Sequence, residues 1–103
     1  MAAPRYFRRR WDESRGDQFD DWGASVWYFE VDADGYPLRQ VEVYDSGVVL
    51  TYDHSHDHDE FGGLGDQPLD ADDFASFEIL GEEFDAAWAR TSLNRGSPGG
   101  RRG

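Results

Sequence analysis

The stretch ASVWYFEVDADGYPLRQVEVYDSGVVLTYD, residues 24–53, decides the fold. Its opening, Ala24 to Val31, is almost entirely β-branched or aromatic, a composition that fits a pleated, half-buried surface. Asp34-Gly35 follows, a favoured two-residue hairpin turn because both central positions take positive φ. Leu38 to Asp45 reads as the next strand, Ser46-Gly47 as a second turn, and Val48 to Asp53 as the strand after it.

These turns predict a register. Asp34-Gly35 sets Ala33 opposite Tyr36, Val31 opposite Leu38 and Glu30 opposite Arg39; Ser46-Gly47 sets Val43 opposite Leu50 and Val41 opposite Tyr52. One face then carries Val26, Tyr28, Val41, Val43, Val48, Leu50 and Tyr52, the expected core, with Glu30 and Arg39 as a structural ion pair at its end. The opposite face carries Trp27, Phe29, Val31, Leu38, Gln40, Glu42, Tyr44, Val49 and Thr51, large aromatics mixed with polar groups.

Outward from this stretch, Arg5 to Trp11 alternates as a first strand, whose place in the sheet the turns leave open. Asp12 to Gly23 is a polar loop whose aromatics, Phe19 and Trp22, are expected to fold back onto the body. On the other side, Asp53 to Gln67 is a loop rich in His, Asp and Gly. Asp70 with Asp73 resembles a capping box for a short turn at Ala71 to Ala75. Glu82 to Thr91 sets Leu80, Phe84, Ala87 and Trp88 at helical spacing, with Gly81 as N-cap, acids at its start and Arg90 at its end. Ser92 to Gly103 lacks apolar content and is expected to be a disordered tail, leaving residues 1–91 as one domain. The expected fold class is α+β: a four-stranded antiparallel meander with a C-terminal helix packed on its Val41–Val43–Leu50 face.

The whole chain has 103 residues, no cysteine and a net charge of −12. The missing cysteines exclude disulfides and thiolate chemistry, and no apolar run reaches the roughly 18 residues of a membrane helix. Residues 1–15 carry +3, residues 16–89 carry −19 and residues 90–103 carry +4. So acidic a body repels nucleic-acid phosphates and anionic lipid and attracts cationic proteins or metal ions. All ten basic residues are arginine, the imprint of a GC-rich bacterial genome. Arg8-Arg9-Arg10 is not followed by the apolar segment of an export signal, so cytoplasmic residence is expected.

Asp53-His54-Ser55-His56-Asp57-His58-Asp59-Glu60 holds all three histidines at spacing two. An extended backbone would turn His54, His56 and His58 to one side, and imidazole with carboxylate suits zinc or nickel. The spacing differs from the His-x-His-x-Asp-His pattern of metallo-β-lactamase-type hydrolases, because one residue alone, Asp57, separates His56 from His58. A solvated polar loop that scavenges metal weakly is the favoured reading of the tract. Glu30-Val31-Asp32-Ala33-Asp34-Gly35 superficially copies a calcium loop, but it is flanked by strands and Val41 stands where the closing glutamate belongs. Phe61-Gly62-Gly63-Leu64-Gly65 lacks the cation of a phosphate cradle and reads as a glycine turn. No serine–histidine–acid set assembles, and nothing in the pattern demands an enzyme.

One helix covers one face of a four-stranded sheet. The face bearing Trp27, Phe29, Glu42 and Tyr44 is therefore either a docking surface for a protein partner or is covered by Phe19, Trp22, Phe74 and Phe77.

The run Trp-Tyr-Phe-Glu-Val-Asp-x-Asp-Gly-Tyr-Pro-x-Arg-x-Val-Glu-Val-Tyr-Asp-x-Gly at residues 27–47, with Phe-Gly-Gly-Leu-Gly at 61–65 and Glu-Glu-Phe-x-x-x-Trp at 82–88, resembles a family of short bacterial, actinobacterial-type proteins classed as a domain of unknown function. The resemblance spans roughly residues 5–91 and implies a compact sheet with a C-terminal helix. It brings no activity, cofactor or catalytic residue.

The composite expectation is a non-enzymatic interaction module of the immunity or regulatory type, binding a basic protein or a second copy of itself, without a cofactor. The alternative is a small zinc-binding protein using His54, His56 and His58.

Overall fold

Strand-forming residues and glycine turns build a five-stranded sheet in the computed structural model, which describes residues 4–96, with side chains through Thr91. The strands β1 (Arg5–Trp11), β2 (Ser25–Val31), β3 (Pro37–Tyr44) and β4 (Val49–Asp53) form the expected antiparallel meander. Two-residue strands β5 (His58–Asp59) and β6 (Gly62–Gly63) make a separate small hairpin. The turn α1 (Ala71–Phe74) follows, capped by the Asp70 carboxylate, which accepts from Asp72 N at 2.9 Å and Asp73 N at 3.1 Å. The chain then lays β7 (Glu78–Ile79) along β1, giving the order β4-β3-β2-β1-β7, and enters α2 (Gly81–Gly96). No helix among the described residues is long and apolar enough to cross a membrane.

Both hairpin loops hold three residues rather than two. In the first, Gly35 N donates to Asp32 O (3.0 Å) and Asp32 N to Tyr36 O (3.0 Å), with Gly35 at φ +90°. A bulge between Glu30 and Val31 on the pairing with β3 then absorbs the extra residue: Val31 pairs with Pro37, yet Glu30 still faces Arg39. In the second, Gly47 N donates to Tyr44 O (2.8 Å) and Tyr44 N to Val48 O (2.9 Å), with Gly47 at φ +99°. No bulge follows, so Val43 faces Val49 and Val41 faces Thr51. The expected pairs Val43–Leu50 and Val41–Tyr52 are corrected by one residue, and β4 is turned over. Leu50 and Tyr52 join the aromatic face, while Val49 and Thr51 join Val41.

On the Val41 face, α2 buries Phe84, Ala87 and Thr91. Trp88 stacks on Phe84 at 6.2 Å between centroids, and Tyr6 meets the same ring tilted at 5.6 Å. Arg39 fastens the helix. It donates to both Glu30 oxygens (2.8 and 3.0 Å) and to Asp85 (3.0 Å), and its guanidinium lies 4.8 Å from the Phe84 ring centroid. The expected structural pair is thus a clamp between sheet and helix. Leu80, expected on the helix stripe, precedes the helix and is 67% exposed; its carbonyl accepts from Glu83 N and Phe84 N. The helix runs on through Ser92–Gly96 because neither Gly nor Pro interrupts it before Gly96. Those five residues of the expected tail are therefore helical, and residues 97–103 lie outside the described ones.

The opposite face holds two buried clusters: Phe7, Phe29, Val31 and Phe74, and Tyr44, Leu50 and Tyr52.

Candidate functional site

The alternation of β2 and β3 puts Trp27, Phe29, Gln40, Glu42 and Tyr44 on one face. The register pairs Trp27 with Glu42 and Phe29 with Gln40. This face is roofed, the second of the two alternatives the sequence left open. Phe74 meets Phe29 edge-on at 5.8 Å and Phe7 at 5.8 Å, and Trp22 meets Tyr44 at 5.1 Å. Phe61 packs on Trp22 at 5.5 Å, while Phe19 backs Trp22 and Phe77 backs Phe74. Phe29, Glu42 and Tyr44 are left 5%, 3% and 3% exposed, and Trp27 is half-buried. Burying the aromatic rings of the loops favours this closure over leaving either surface wet.

The roof has a gap. Between the Phe74 side and the Trp22 side lies a cleft of about 450 Å³ walled by Trp11, Trp27, Phe29, Tyr44 and Phe74, with Glu13 among its lining residues. A second cleft of about 300 Å³ has Glu42, Phe61 and Gly62 in its wall, and the two share Arg15, Trp27 and Tyr44. Volumes of this order accommodate a side chain or small ligand.

A polar ladder runs along β3 beneath the clefts. Tyr44 Oη donates to Glu42 Oε1 (2.6 Å), and Gln40 Nε2 donates to Glu42 Oε2 (2.7 Å) and to Gly63 O (3.2 Å). Gly65 N donates to Gln40 Oε1 (3.0 Å). Every member has a partner, which is what makes a buried polar row tolerable. Burial pushes the Glu42 carboxyl above the ordinary carboxylate range, and the hydrogen bonds from Tyr44 and Gln40 only partly offset it. Burial and the neighbouring Glu42 likewise push the Tyr44 hydroxyl well above its usual value, so it remains a donor.

Arg15 bridges the two clefts. It donates to Asp17 (Nε to Oδ2, 3.0 Å), to Phe61 O (Nη2, 2.6 Å) and to Tyr44 Oη (Nη1, 3.4 Å), with its guanidinium over Phe19, Trp22 and Tyr44. Trp27 Nε1 donates to Ser25 Oγ at 2.8 Å, which fixes the indole along the strand. Sequence reasoning missed Arg15, Glu13 and Trp11 as parts of this site. A single arginine among aromatics in an acidic loop was the available signal.

The three histidines are not brought together as one set. A bridge between Asp53 and His56 bends the backbone there, which removes the extended alternation that would align the rings. The His56 ring stacks on Tyr52 (5.8 Å, 5°) and its Nε2 lies 3.4 Å from Asp59. His58 Nδ1 lies 2.7 Å from Asp57, and His54, Asp57 and His58 line one groove with Tyr36 and Leu64, of which His56 is not part. Among the described residues no three His, Cys, Asp or Glu side chains converge as metal ligands. Asp32 Oδ1 accepts from Asp34 N and Tyr36 N and so shapes its turn. Gly63 is required by proximity: a Cβ there would stand 2.8 Å from Asp57 O.

Compared with family models, curated proteins and solved structures, the chain matches none of them.

Proposed function

We propose that this chain is a non-enzymatic interaction module of the immunity or regulatory type that captures a basic protein partner in the cytoplasm. The observation that carries the reading is the aromatic cleft of about 450 Å³ set into a body whose residues 16–89 sum to −19. Charge of that sign accelerates encounter with a cationic surface and disfavours nucleic acid and anionic membrane. Aromatic walls supply the anchoring energy that long-range charge does not. The buried acid and tyrosine are tied to each other and to Gln40, so the ladder supports the cleft floor rather than a reaction.

The test is capture from the lysate of a GC-rich bacterium on immobilised protein at low salt, with a salt gradient for elution and parallel zinc and chelator arms. One dominant basic protein, released by salt and indifferent to zinc, is expected. No basic protein at all, retention only with zinc, or a dimer of this chain in sedimentation that consumes the cleft would each overturn the proposal.

A further inference from the structure

The chain has four tryptophans, and among the described residues three of them carry an arginine of the chain. Arg9 lies 4.8 Å from the Trp11 centroid, Arg15 lies 5.4 Å from Trp22, and Arg39 lies 5.1 Å from Trp88. Among the described residues no guanidinium lies over Trp27. That indole walls the gap in the roof, between the Arg9 stack on Phe74 and the Arg15 stack on Tyr44. Opposite it in the register stands Glu42, which lines the adjoining cleft and is the buried carboxyl of this face. Register partners across an antiparallel pair bring their Cβ atoms to about 5 Å.

We infer that Trp27 is the docking point for an arginine side chain of the basic partner, its guanidinium stacked on the indole and its charge balanced by Glu42. This rests on the reading of the chain as a module for a basic partner and names the side chain that the cleft takes. A planar, weakly hydrated guanidinium stacks on an indole better than an ammonium does, so the cleft discriminates arginine from lysine at equal charge. The surrounding acids attract both alike. Arg9, Glu13, Arg15, Asp17, Tyr44, Tyr52 and Asp59 are the charged or titratable groups around Trp27 and Glu42; Arg9 faces Trp27 across β1 but is stacked on Trp11, Phe74 and Phe77, and Arg15 is neutralised by Asp17 at 2.9 Å.

The probes are tetra-arginine and tetra-lysine peptides, titrated calorimetrically at low ionic strength where screening is weak. Tetra-arginine is expected to bind about tenfold more tightly than tetra-lysine. Trp27→Leu should abolish that preference while leaving the lysine affinity in place. Trp27→Tyr should keep a preference, and Glu82→Gln with Glu83→Gln, on the exposed helix surface, should weaken both peptides equally. If Trp27→Leu fails to fold, the Trp27 indole N–H resonance in the wild-type protein decides: it should move with tetra-arginine and stay with tetra-lysine. Equal binding of both peptides, or an unmoved Trp27 resonance, would overturn the arginine site while leaving the basic-partner reading intact. Binding of neither peptide would overturn both.

Discussion

The two faces of the sheet are closed by different means. On one, a single helix lays Phe84, Ala87 and Thr91 onto the sheet face that carries Val41 and Thr51, and Arg39 fastens helix to strand. On the other, residues from three separate connections, Trp22, Phe61 and Phe74, cover a row that includes Gln40, Glu42 and Tyr44. The helix leaves a cleft of about 320 Å³ beside Ala87 and Thr91, walled by Val26, Tyr28, Val43 and Val49 and by no tryptophan or phenylalanine. Separate loop rings meet imperfectly, and the cleft beside Trp27 is where they fail to meet. The teaching is that both faces keep a cleft, but the one patched by loop rings is larger and walled by aromatics, which is where anchoring energy is available.

This contrast breaks first at Phe84. Phe84→Ala should cost about 4 kcal/mol, a large part of a small domain's stability, and should release the helix from the sheet. Urea unfolding with far-UV circular dichroism checks it; a variant of wild-type stability would mean the helix is not the closing element. Phe74→Ala should cost less, about 3 kcal/mol, because Trp11 and Leu69 remain to cover Phe29 and Phe7. Its helical signal should survive while hydrogen exchange rises in residues 69–77, confining the damage to the patched face. Equal loss of helix in both variants would dissolve the distinction between the faces.

A smaller effect is expected at the turn that decides which face β4 feeds. Gly47→Ala places a side chain at φ +99° with no heavy atom within 4 Å, so strain alone acts and should amount to about 1 kcal/mol. A neutral or stabilising result in thermal unfolding would contradict the three-residue loop.

The smallest effect is a tilt with pH. Burial raises the folded-state pKa of Glu42 above that of an unfolded carboxyl, so ionisation of this group opposes folding. Its contribution is fully present below the ordinary carboxylate range and is lost as pH rises through the raised value. The stability of the wild-type protein relative to Glu42→Gln should therefore fall with increasing pH. A difference that rises, or stays flat, in unfolding curves taken across the acid-to-neutral range would show that Glu42 is not held as described.

Much of this architecture was legible in residues 24–53, because β-branched and aromatic runs between Asp-Gly and Ser-Gly can form little else. Loop length was not. Asp34-Gly35 and Ser46-Gly47 both read as two-residue turns, and both loops hold three, with glycine in the left-handed position. The first error vanished into the bulge at Glu30/Val31, leaving Glu30 opposite Arg39; the second had no bulge and inverted β4. Alternation could not expose the inversion, because Val48-Val49-Leu50 is apolar on both parities. Strand β7 was illegible for another reason: two residues carry no periodicity, and β1 recruits Glu78 and Ile79 through backbone pairing and the long-range Arg5–Glu78 ion pair at 2.9 Å. At the site, Trp27, Phe29, Glu42 and Tyr44 were correctly placed on one face, while their roof and Arg15 depended on how loops fold back, which no local spacing encodes.

The most direct test of the account is a map of backbone and indole amide shifts during titration with an arginine-rich peptide. Perturbation confined to the segment 13–15, Trp27, Glu42, Tyr44 and Phe74 is the predicted result. Perturbation centred on Ala87, Thr91 and the helix surface, or spread evenly over the acidic residues 53–60, would contradict it.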